Sequence, residues 1–505
     1  YEGDTGYGKT VLSRPGCVIL PNTTEETQKI VRTCNRFKIP FIPTSSRWGE
    51  LFTPHRGGLV YIDLKRMDNL EIDEKNMYAL VEPGVIFSQL QEQAMRRGLY
   101  ITVPGGGAQV SVVGNHISFG FSPLNYRNCI PSRRVLGVEW ILPDGEILRL
   151  GSLASQDDPF WGSGPGPDLR GILRGHTPGW LGALGVVSRM AVKLFPFQPE
   201  VPQPSGISPH TTLQLPPNRM RWINFTMPNR DSLVQAMLEI GKAEIGAAAT
   251  KVPLFWRIIA KAKSKEEFWE LWSKENKESV SSTHILRVLL IGYTCEEQLD
   301  HEEAVLMEII GELGGEARRT RPTDESWIKN ADSAGMWWMC GGYVSAEYDT
   351  ESLRHAVKQG EAFAELKKKY TPPLMPDYGD PGWFQIGDLG HTGYCEFLIY
   401  YDPSENTDGV DQYYVETAKL NAREGFWTAF IPHSQPVSLT GPKYGPNYHF
   451  WLAKIKDEFD PNRLSNPPIP FGRDQFMEKA EWMKGVKDWE TDPKTEELIR
   501  SYIEE

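Results

Sequence analysis

Residues able to do chemistry concentrate in two stretches of this 505-residue chain. The first is Ile101–Arg127, where Ile101 and Val103 lead into Pro104 and then Gly105-Gly106-Gly107. Gly114-Asn115 reads as a second glycine-containing turn, and Gly120 follows. Three successive glycines free the backbone to take positive φ and leave its N–H groups uncovered. Such a run lets the main chain approach a diphosphate or a ring system closely. No G-x-G-x-x-G opens a helix here and no Lys-Ser/Thr follows, so neither a dinucleotide fingerprint nor a P-loop is present. Taken alone, a ligand loop and an ordinary glycine-rich turn fit these residues equally. His116 lies inside the stretch, and its position is compatible with phosphate, ring or core.

The second stretch is Asp388-Leu389-Gly390-His391-Thr392-Gly393-Tyr394. Its Gly-His-Thr-Gly centre is short of packing side chains, and titratable residues flank it. Histidine is the side chain best suited to proton transfer near neutral pH. His391 is therefore a candidate general base, with Tyr394 and His116 beside it as candidates. The competing reading is a histidine that orders the turn before a strand. His433, Tyr444, Tyr448 and His449 are alternatives further on. Trp337, Trp338, Trp383 and Trp427 fit the wall of an aromatic pocket or plain core.

The elements that must position these residues are readable in outline. Residues 16–20 read as a strand. Thr23–Phe37 reads as a helix with a capping-box start, Thr23 with Glu26, and an apolar stripe of Ile30, Val31 and Cys34. Ile39–Pro43 is a second strand, Met77–Pro83 a third, and Phe87–Gly98 a helix that delivers the chain to the glycine stretch. Val135–Leu150 reads as a hairpin turned by Pro143-Asp144-Gly145. Val186–Phe195 is a further strand, and Gly162–Pro167 a breaker-dense loop. A Pro-rich crossover, Pro196–Pro217, precedes a different body. There strands at Arg221–Thr226, His284–Tyr293 and Gly393–Tyr401 alternate with helices at Arg230–Glu244, Ser264–Asn276, Glu296–Leu313, Thr350–Tyr370 and Gly409–Glu424. That order predicts an antiparallel sheet with helices on one face. A charged helical tail, Met477–Glu505, closes the chain.

Composition narrows the function. The length allows two or three domains. A formal net charge of −12 argues against nucleic acid as a partner. The six cysteines form no C-x-x-C pair, so zinc or iron–sulfur sites are not expected, and no metal is assigned. No run of 18 or more apolar residues exists, so no membrane span is expected. No signal peptide is visible ahead of the first strand, and the expectation is a soluble protein of the cytoplasm or periplasm.

Three signatures then carry a resemblance. They are P-x-x-x-A-x-x-S-V-V-G-N…G-F-S-P at 104–123, G-V-E-W-I-L-P-D-G-E-I-L-R-L-G at 137–151, and G-P…D-L-R-G-I-L…G-A-L-G-V-V-S-R-M-A-V-K-L-F-P at 164–196. The chain resembles the FAD-linked oxidases and dehydrogenases typified by vanillyl-alcohol oxidase and p-cresol methylhydroxylase. Phe459–Pro467 is similar to that family's closing segment. The resemblance implies an α+β fold: a two-lobed PCMH-type FAD-binding domain at residues 1–205 and 435–505, and a cap domain with an antiparallel sheet and helices at 206–434. It implies FAD as cofactor. Pro43, Thr44, Ser45, Ser46, Arg47 and Trp48 stand where the family carries its first diphosphate loop. Pro104, Gly105, Gly106 and Gly107, then Val113, Gly114, Asn115 and Ser118, then Phe121 and Ser122, stand along its central stretch. Gly185, Val186, Val187 and Asn466 complete the implied cofactor contacts.

Departures from the family pattern refine the expectation. Trp338 aligns with the residue that links FAD covalently, and Trp cannot form that bond, so noncovalent FAD is expected; Tyr343 is the nearest alternative. Ala429-Phe430 stand where the phenol-oxidising branch has a Tyr-Arg pair, and Ser118 where it has an Asp. A phenolate in a dry pocket needs a cation or strong donors. The expected reaction is thus hydride transfer to flavin from an alcohol or activated C–H of a small aromatic or apolar substrate other than an ordinary 4-alkylphenol. A flavin-binding electron-transfer or scaffold subunit is the rival reading, and a 2-hydroxy-acid dehydrogenase a third. Implied partners are a small-molecule substrate and an electron-acceptor subunit, cytochrome or other, within an oligomer.

Overall fold

The computed structural model describes residues 14–46, 57–105, 107–118, 120–151, 167–174, 180–201, 215–251, 253–259, 261–275, 284–318, 342–346, 349–350, 352–401, 408–424, 426 and 448–467. The expected loop at Gly162–Pro167, the Pro-rich crossover, the segment around Trp338, the segment around Ala429-Phe430 and the charged tail lie largely or wholly outside them.

The first lobe is a parallel three-stranded sheet of β1 (Cys17–Ile19), β3 (Val60–Asp63) and β2 (Phe41–Thr44), in that order. The helix Thr24–Phe37 crosses between β1 and β2. Thr23 caps it by accepting the Glu26 N–H at 3.2 Å, and Glu26 reaches back to the Asn22 N–H at 2.7 Å. Val31 and Cys34 bury its apolar stripe against Phe41 and Ile62. Lys38, at φ +56°, ends it.

The second lobe is an antiparallel sheet ordered β4 (Leu70–Asp73), β5 (Tyr78–Val81), β9 (Val186–Lys193), β7 (Val135–Ile141), β8 (Ile147–Leu150). The β7–β8 turn matches its Pro-Asp-Gly signal, with Gly145 at φ +89°. A short pair, β6 (Leu99–Tyr100) with β10 (Phe195–Pro196), sits beside it. The glycine stretch departs from expectation. Gly114-Asn115 is no turn but the middle of a helix, Val112–Ser118. Ser111 makes the difference, because its hydroxyl accepts the Gly114 N–H at 3.1 Å and its carbonyl the Asn115 N–H at 3.0 Å. That is the capping geometry that starts a helix even with two valines and a glycine in its first turn.

The third sheet belongs to the later body. It is ordered β14 (Glu316–Arg318), β11 (Met220–Met227), β13 (His284–Ile291), β12 (Ala248–Lys251), β17 (Trp383–Gly387), β18 (Thr392–Tyr401), β15 (Gly342–Ala346), with β16 (Asp349–Thr350) also on β18. Every described pairing in it is antiparallel, as expected. The strands β12, β14 and β17 carry no strong sequence signal. The helices Arg230–Lys242, Glu296–Glu312 and Leu353–Lys367 pack on it. The chain returns to the first lobe at the end, where Leu464 and Asn466 exchange backbone hydrogen bonds with Phe41 at 2.8 Å each.

Candidate active site

Four segments distant in sequence converge at the C-terminal end of β2. Ser46 Oγ accepts the Ser111 N–H at 2.9 Å. A Cβ on Gly114 would stand 3.3 Å from Ser45 Oγ. Gly182, at φ +75°, lies so close to Pro43 that a Cβ there would come within 2.5 Å of the ring. Asn466 Nδ2 donates to the Leu181 carbonyl at 2.7 Å, and Gly185 N–H to Ser465 Oγ at 2.9 Å. Pro43–Ser46, the Val112–Ser118 helix, the 181–185 turn and Ser465-Asn466 are thus brought together. Arg47, Trp48, Gly106 and the Ser118 side chain lie outside the described atoms.

The donor and acceptor count of this cradle is open. Thr44 Oγ1, Asn115 Oδ1 and Asn466 Oδ1 are buried and make no hydrogen bond within the described residues. An unpaired buried polar atom costs about 1–3 kcal/mol, so three in one place call for a polar ligand from outside the chain. Hydroxyls and N–H groups of a dinucleotide satisfy that need, and the residues fit FAD in this respect. Not every expected contact has the expected form. The Gly105 N–H is bonded to the Phe121 carbonyl at 2.7 Å and the Gly107 N–H to the Pro104 carbonyl at 3.0 Å. Those two N–H groups are turned inward by the tight turn rather than left uncovered. The side chains of Val113, Val186 and Val187 pack in the apolar cores.

Beside the cradle, the glycine stretch meets the later body. A Cβ on Gly105 would stand 3.0 Å from the Trp383 ring, so glycine is what lets β17 come this close. Phe121 stacks on Tyr394, with centroids 4.4 Å apart and planes at 8°. Trp383 meets Tyr394 edge-on at 5.2 Å, and Trp256 meets Trp383 at 5.0 Å. Trp383 Nε1 donates to Thr250 Oγ1 at 2.6 Å, which fixes the indole. Gln385 Nε2 donates to the Ser122 carbonyl at 2.9 Å and sets the register between the two bodies. The Tyr394 hydroxyl donates to Glu396 Oε2 at 2.8 Å, and both residues are buried.

Of the three candidate proton carriers, Tyr394 alone stands in this cluster. His116 is fully buried in the second lobe and stacked near Phe87 at 6.0 Å. Its Nδ1 bonds the Val112 carbonyl at 2.7 Å, one turn back. Burial, with the Arg134 guanidinium second, pushes its imidazolium down to about 3, so it is neutral at physiological pH. His391 is exposed in the turn before β18, its N–H on the Asp388 carbonyl at 3.1 Å. Asp388 in turn pairs with Arg133 of the second lobe. Arg127, at the end of the glycine stretch, bonds the carbonyls of Glu244 and Gly246 at 2.7 and 2.9 Å. Arg221 is held by Asp300 and Glu303 at 2.7 Å each. Glu396 was not foreseen. Its signal was a lone carboxylate two residues after Tyr394 in an otherwise apolar strand, which puts both on one face.

The chain is similar to several known proteins. A family profile described as an FAD binding domain matches residues 15–151. The glycolate oxidase subunit GlcD of Bacillus subtilis is 32% identical over 36% of this chain, and the match spans only 38% of that protein. D-lactate dehydrogenase of Anaerostipes hadrus is 29% identical over 91% of this chain and 90% of its own length. The flavoprotein subunit of 4-cresol dehydrogenase (hydroxylating) of Pseudomonas putida is 28% identical over 90% of this chain and 87% of its own. Among solved structures, substrate-bound p-cresol methylhydroxylase superposes with a TM-score of 0.71 at 18% identity, over 90% of this chain and 89% of that one. That likeness is one of fold.

Proposed function

From the premise that this chain carries the PCMH-type FAD-binding domain and is an FAD-linked oxidoreductase of that family, we propose that it oxidises a small, uncharged aromatic or apolar alcohol, or an activated C–H carbon, by hydride transfer to noncovalently held FAD. The observation that carries this reading is the aromatic cluster of Phe121, Trp383 and Tyr394 set against Gly105 beside the cradle. FAD, when bound, supplies the two-electron hydride acceptor. Thr44, Ser45, Asn115 and Asn466 hold it through their hydroxyl and amide groups, and the Ser111 cap fixes the helix that carries Asn115. Phe121, Trp256 and Trp383 wall off an apolar substrate from water, and the Tyr394 hydroxyl orients its oxygen. The FAD-binding domain is assigned to residues 1–205 and 435–505 and the cap to 206–434, a division supported by the third sheet lying wholly within 220–401. An electron-accepting partner subunit is in keeping with the cresol dehydrogenase relative.

A second reading, oxidation of a 2-hydroxy acid, is favoured by the D-lactate dehydrogenase relative. Its substrate carboxylate would need a cation. Two nearby cations are committed, Lys251 to Asp380 and the Gly382 carbonyl and Arg133 to Asp388, whereas the buried Arg134, bonded to Thr102 Oγ1, keeps Nε and Nη2 without a partner among the described residues. A carboxylate would have to displace an acid to reach Lys251 or Arg133, and the aromatic lining of the cluster favours the neutral substrate. The test begins with the visible spectrum of the purified protein before and after acid precipitation. Flavin released to the supernatant supports noncovalent FAD, and flavin kept in the pellet refutes it. Anaerobic bleaching is then screened with aromatic alcohols and 2-hydroxy acids. Bleaching by the acids alone selects the second reading, and bleaching by neither leaves an electron-transfer or scaffold subunit.

A further inference from the structure

Strand β18 runs through the apolar interior of the later body, yet it carries Glu396 there at 5% exposure. An ionised carboxylate placed so deep is expensive unless something holds it. The Tyr394 hydroxyl, at 2% exposure and 2.8 Å away, is one of its holders. The two side chains share a face of the strand at spacing two. Across the ladder, Trp383 pairs with Glu396 and Gln385 with Tyr394. The dyad therefore opens onto the Trp383–Phe121 cluster rather than onto solvent.

Resting on the function proposed above, we propose that Tyr394 and Glu396 form a two-step proton relay for an arylcarbinol substrate, with Glu396 as the terminal acceptor. A neutral tyrosine is a poor base on its own. It can take a proton only while giving up the one it holds, and its own proton is already directed at Glu396 Oε2. As the carbinol C–H bond breaks and a C=O bond forms, FAD, when bound, would take up the hydride with its electron pair. The carbinol O–H bond breaks in the same event. Its proton goes to Tyr394 Oη, and the former Tyr394 proton goes to Glu396 Oε2. The products are an aryl aldehyde or ketone, FAD carrying the hydride, and a protonated Glu396. The relay needs an O–H on the reacting carbon, not a phenol hydroxyl across the ring.

The test uses the FAD-loaded protein in anaerobic stopped flow, with benzyl alcohol, 4-methylphenol and D-lactate as probes. Positioned proton transfer is worth about 10²–10⁴-fold. Glu396→Gln keeps a hydrogen-bond acceptor but cannot take the proton. It should slow flavin reduction by benzyl alcohol at least 100-fold, with FAD content and the half-saturating alcohol concentration within threefold of wild type. Glu396→Asp should recover part of the rate. Tyr394→Phe keeps every ring contact and should fall to the same level, and the double variant no further, since residues acting as a unit are not additive. A Tyr394→Phe or Glu396→Gln rate within threefold of wild type overturns the relay while leaving the proposed function standing. Reduction by 4-methylphenol or D-lactate in preference to benzyl alcohol also overturns it. Failure of every probe to reduce the wild-type flavin overturns both proposals together.

Discussion

Lys456 and Asp460 lie one helical turn apart in the helix Tyr448–Phe459 and just beyond its end, fully buried, with their charges 2.6 Å apart. Lys456 Nζ also donates to the carbonyls of Ala183 and Ser465, so it ties the final helix to the 181–185 turn and to the segment that carries Asn466. Removing one member of a buried pair costs about 3–5 kcal/mol because the other charge is left unpaired. Asp460 would keep the N–H groups of Leu464 and Ser465, at 3.1 and 2.8 Å. Lys456→Met should therefore fall near the low end, a loss of about 3 kcal/mol. Because Ser465 Oγ also accepts the Gly185 N–H, FAD binding should weaken along with stability. The assays are urea denaturation of the apoprotein and the FAD dissociation constant from quenching of flavin fluorescence. Lys456→Met with Asp460→Asn removes the stranded charge, keeps an acceptor for one of the two N–H groups, which Asp460 accepts on separate oxygens, and should recover part of the loss. The pH dependence has a definite sign. Burial holds the Lys456 ammonium down to about 8 against an ordinary value near 10.5. Between those values the unfolded chain binds more protons, so wild type gains stability over Lys456→Met as pH rises above 8. A single variant within 1 kcal/mol of wild type, or a double variant worse than the single, would refute this reasoning.

Thr44→Val and Asn115→Leu test the cradle: each should raise the FAD dissociation constant about 5- to 20-fold, the worth of one hydrogen bond, while leaving the apoprotein as stable as wild type or more so. A loss of apoprotein stability with FAD affinity unchanged would show that these atoms serve the fold alone. Gly185→Ala places a Cβ 2.2 Å from the Ile141 carbonyl at φ +97°, where an L-residue already loses about 1–2 kcal/mol, so melting temperature and FAD content should both drop sharply. His116 is held neutral down to about 3, whereas its unfolded value is near 6.5, so its contribution is present above 6.5 and is lost as pH falls toward 3. Urea melts from pH 7 to pH 4 should show wild type losing ground to His116→Gln, and a constant gap between them would contradict the burial.

Several elements of the fold are legible because their signals are local. Thr23 and Glu26 announced a cap, Pro143-Asp144-Gly145 a hairpin, and the glycine run a close approach of backbone. Where local signals mislead, a neighbour decides: Gly114-Asn115 reads as a turn until the Ser111 hydroxyl is counted as a helix cap. The proton-handling side was harder to read. His391 carries the stronger sequence signal, but the turn that holds it has Asp388 and Leu389 at φ +49° and +54° and faces solvent. Tyr394 and Glu396 look like ordinary strand residues. Their meaning comes from Phe121, which is 273 residues before Tyr394 by subtraction of their numbers, stacking on that ring. No periodicity encodes a contact of that kind.

The two bodies share the site so closely that neither owns it. Trp222, Ala248 and Leu289 of the third sheet, with Ala247 just before β12, lie in one apolar cluster with Leu99, Val103 and Val112 of the second lobe. Polar contacts pin the same boundary. The Tyr126 hydroxyl sits between the carbonyls of Ile240 and Ile245 at 3.0 and 2.7 Å, and Arg127 donates to the carbonyls of Glu244 and Gly246 on either side of Ile245. Each of these partners is a backbone group, whose position changes only if its element moves. The segment 121–134 is therefore a hinge plate fixed to both bodies, since Gln385 is bonded to Ser122 and Asp388 to Arg133 on the same segment. A lid that opened by separating the bodies would break all of these at once and expose a shared core. Under the proposed function, substrate would enter through movement of loops and side chains around Trp256, Trp383 and Phe121 and not through separation of the bodies. The distance from the cradle to Tyr394 is thus set by packing of the whole molecule, and under the proposed function that packing would fix the hydride acceptor and the proton acceptor relative to each other before the reaction starts.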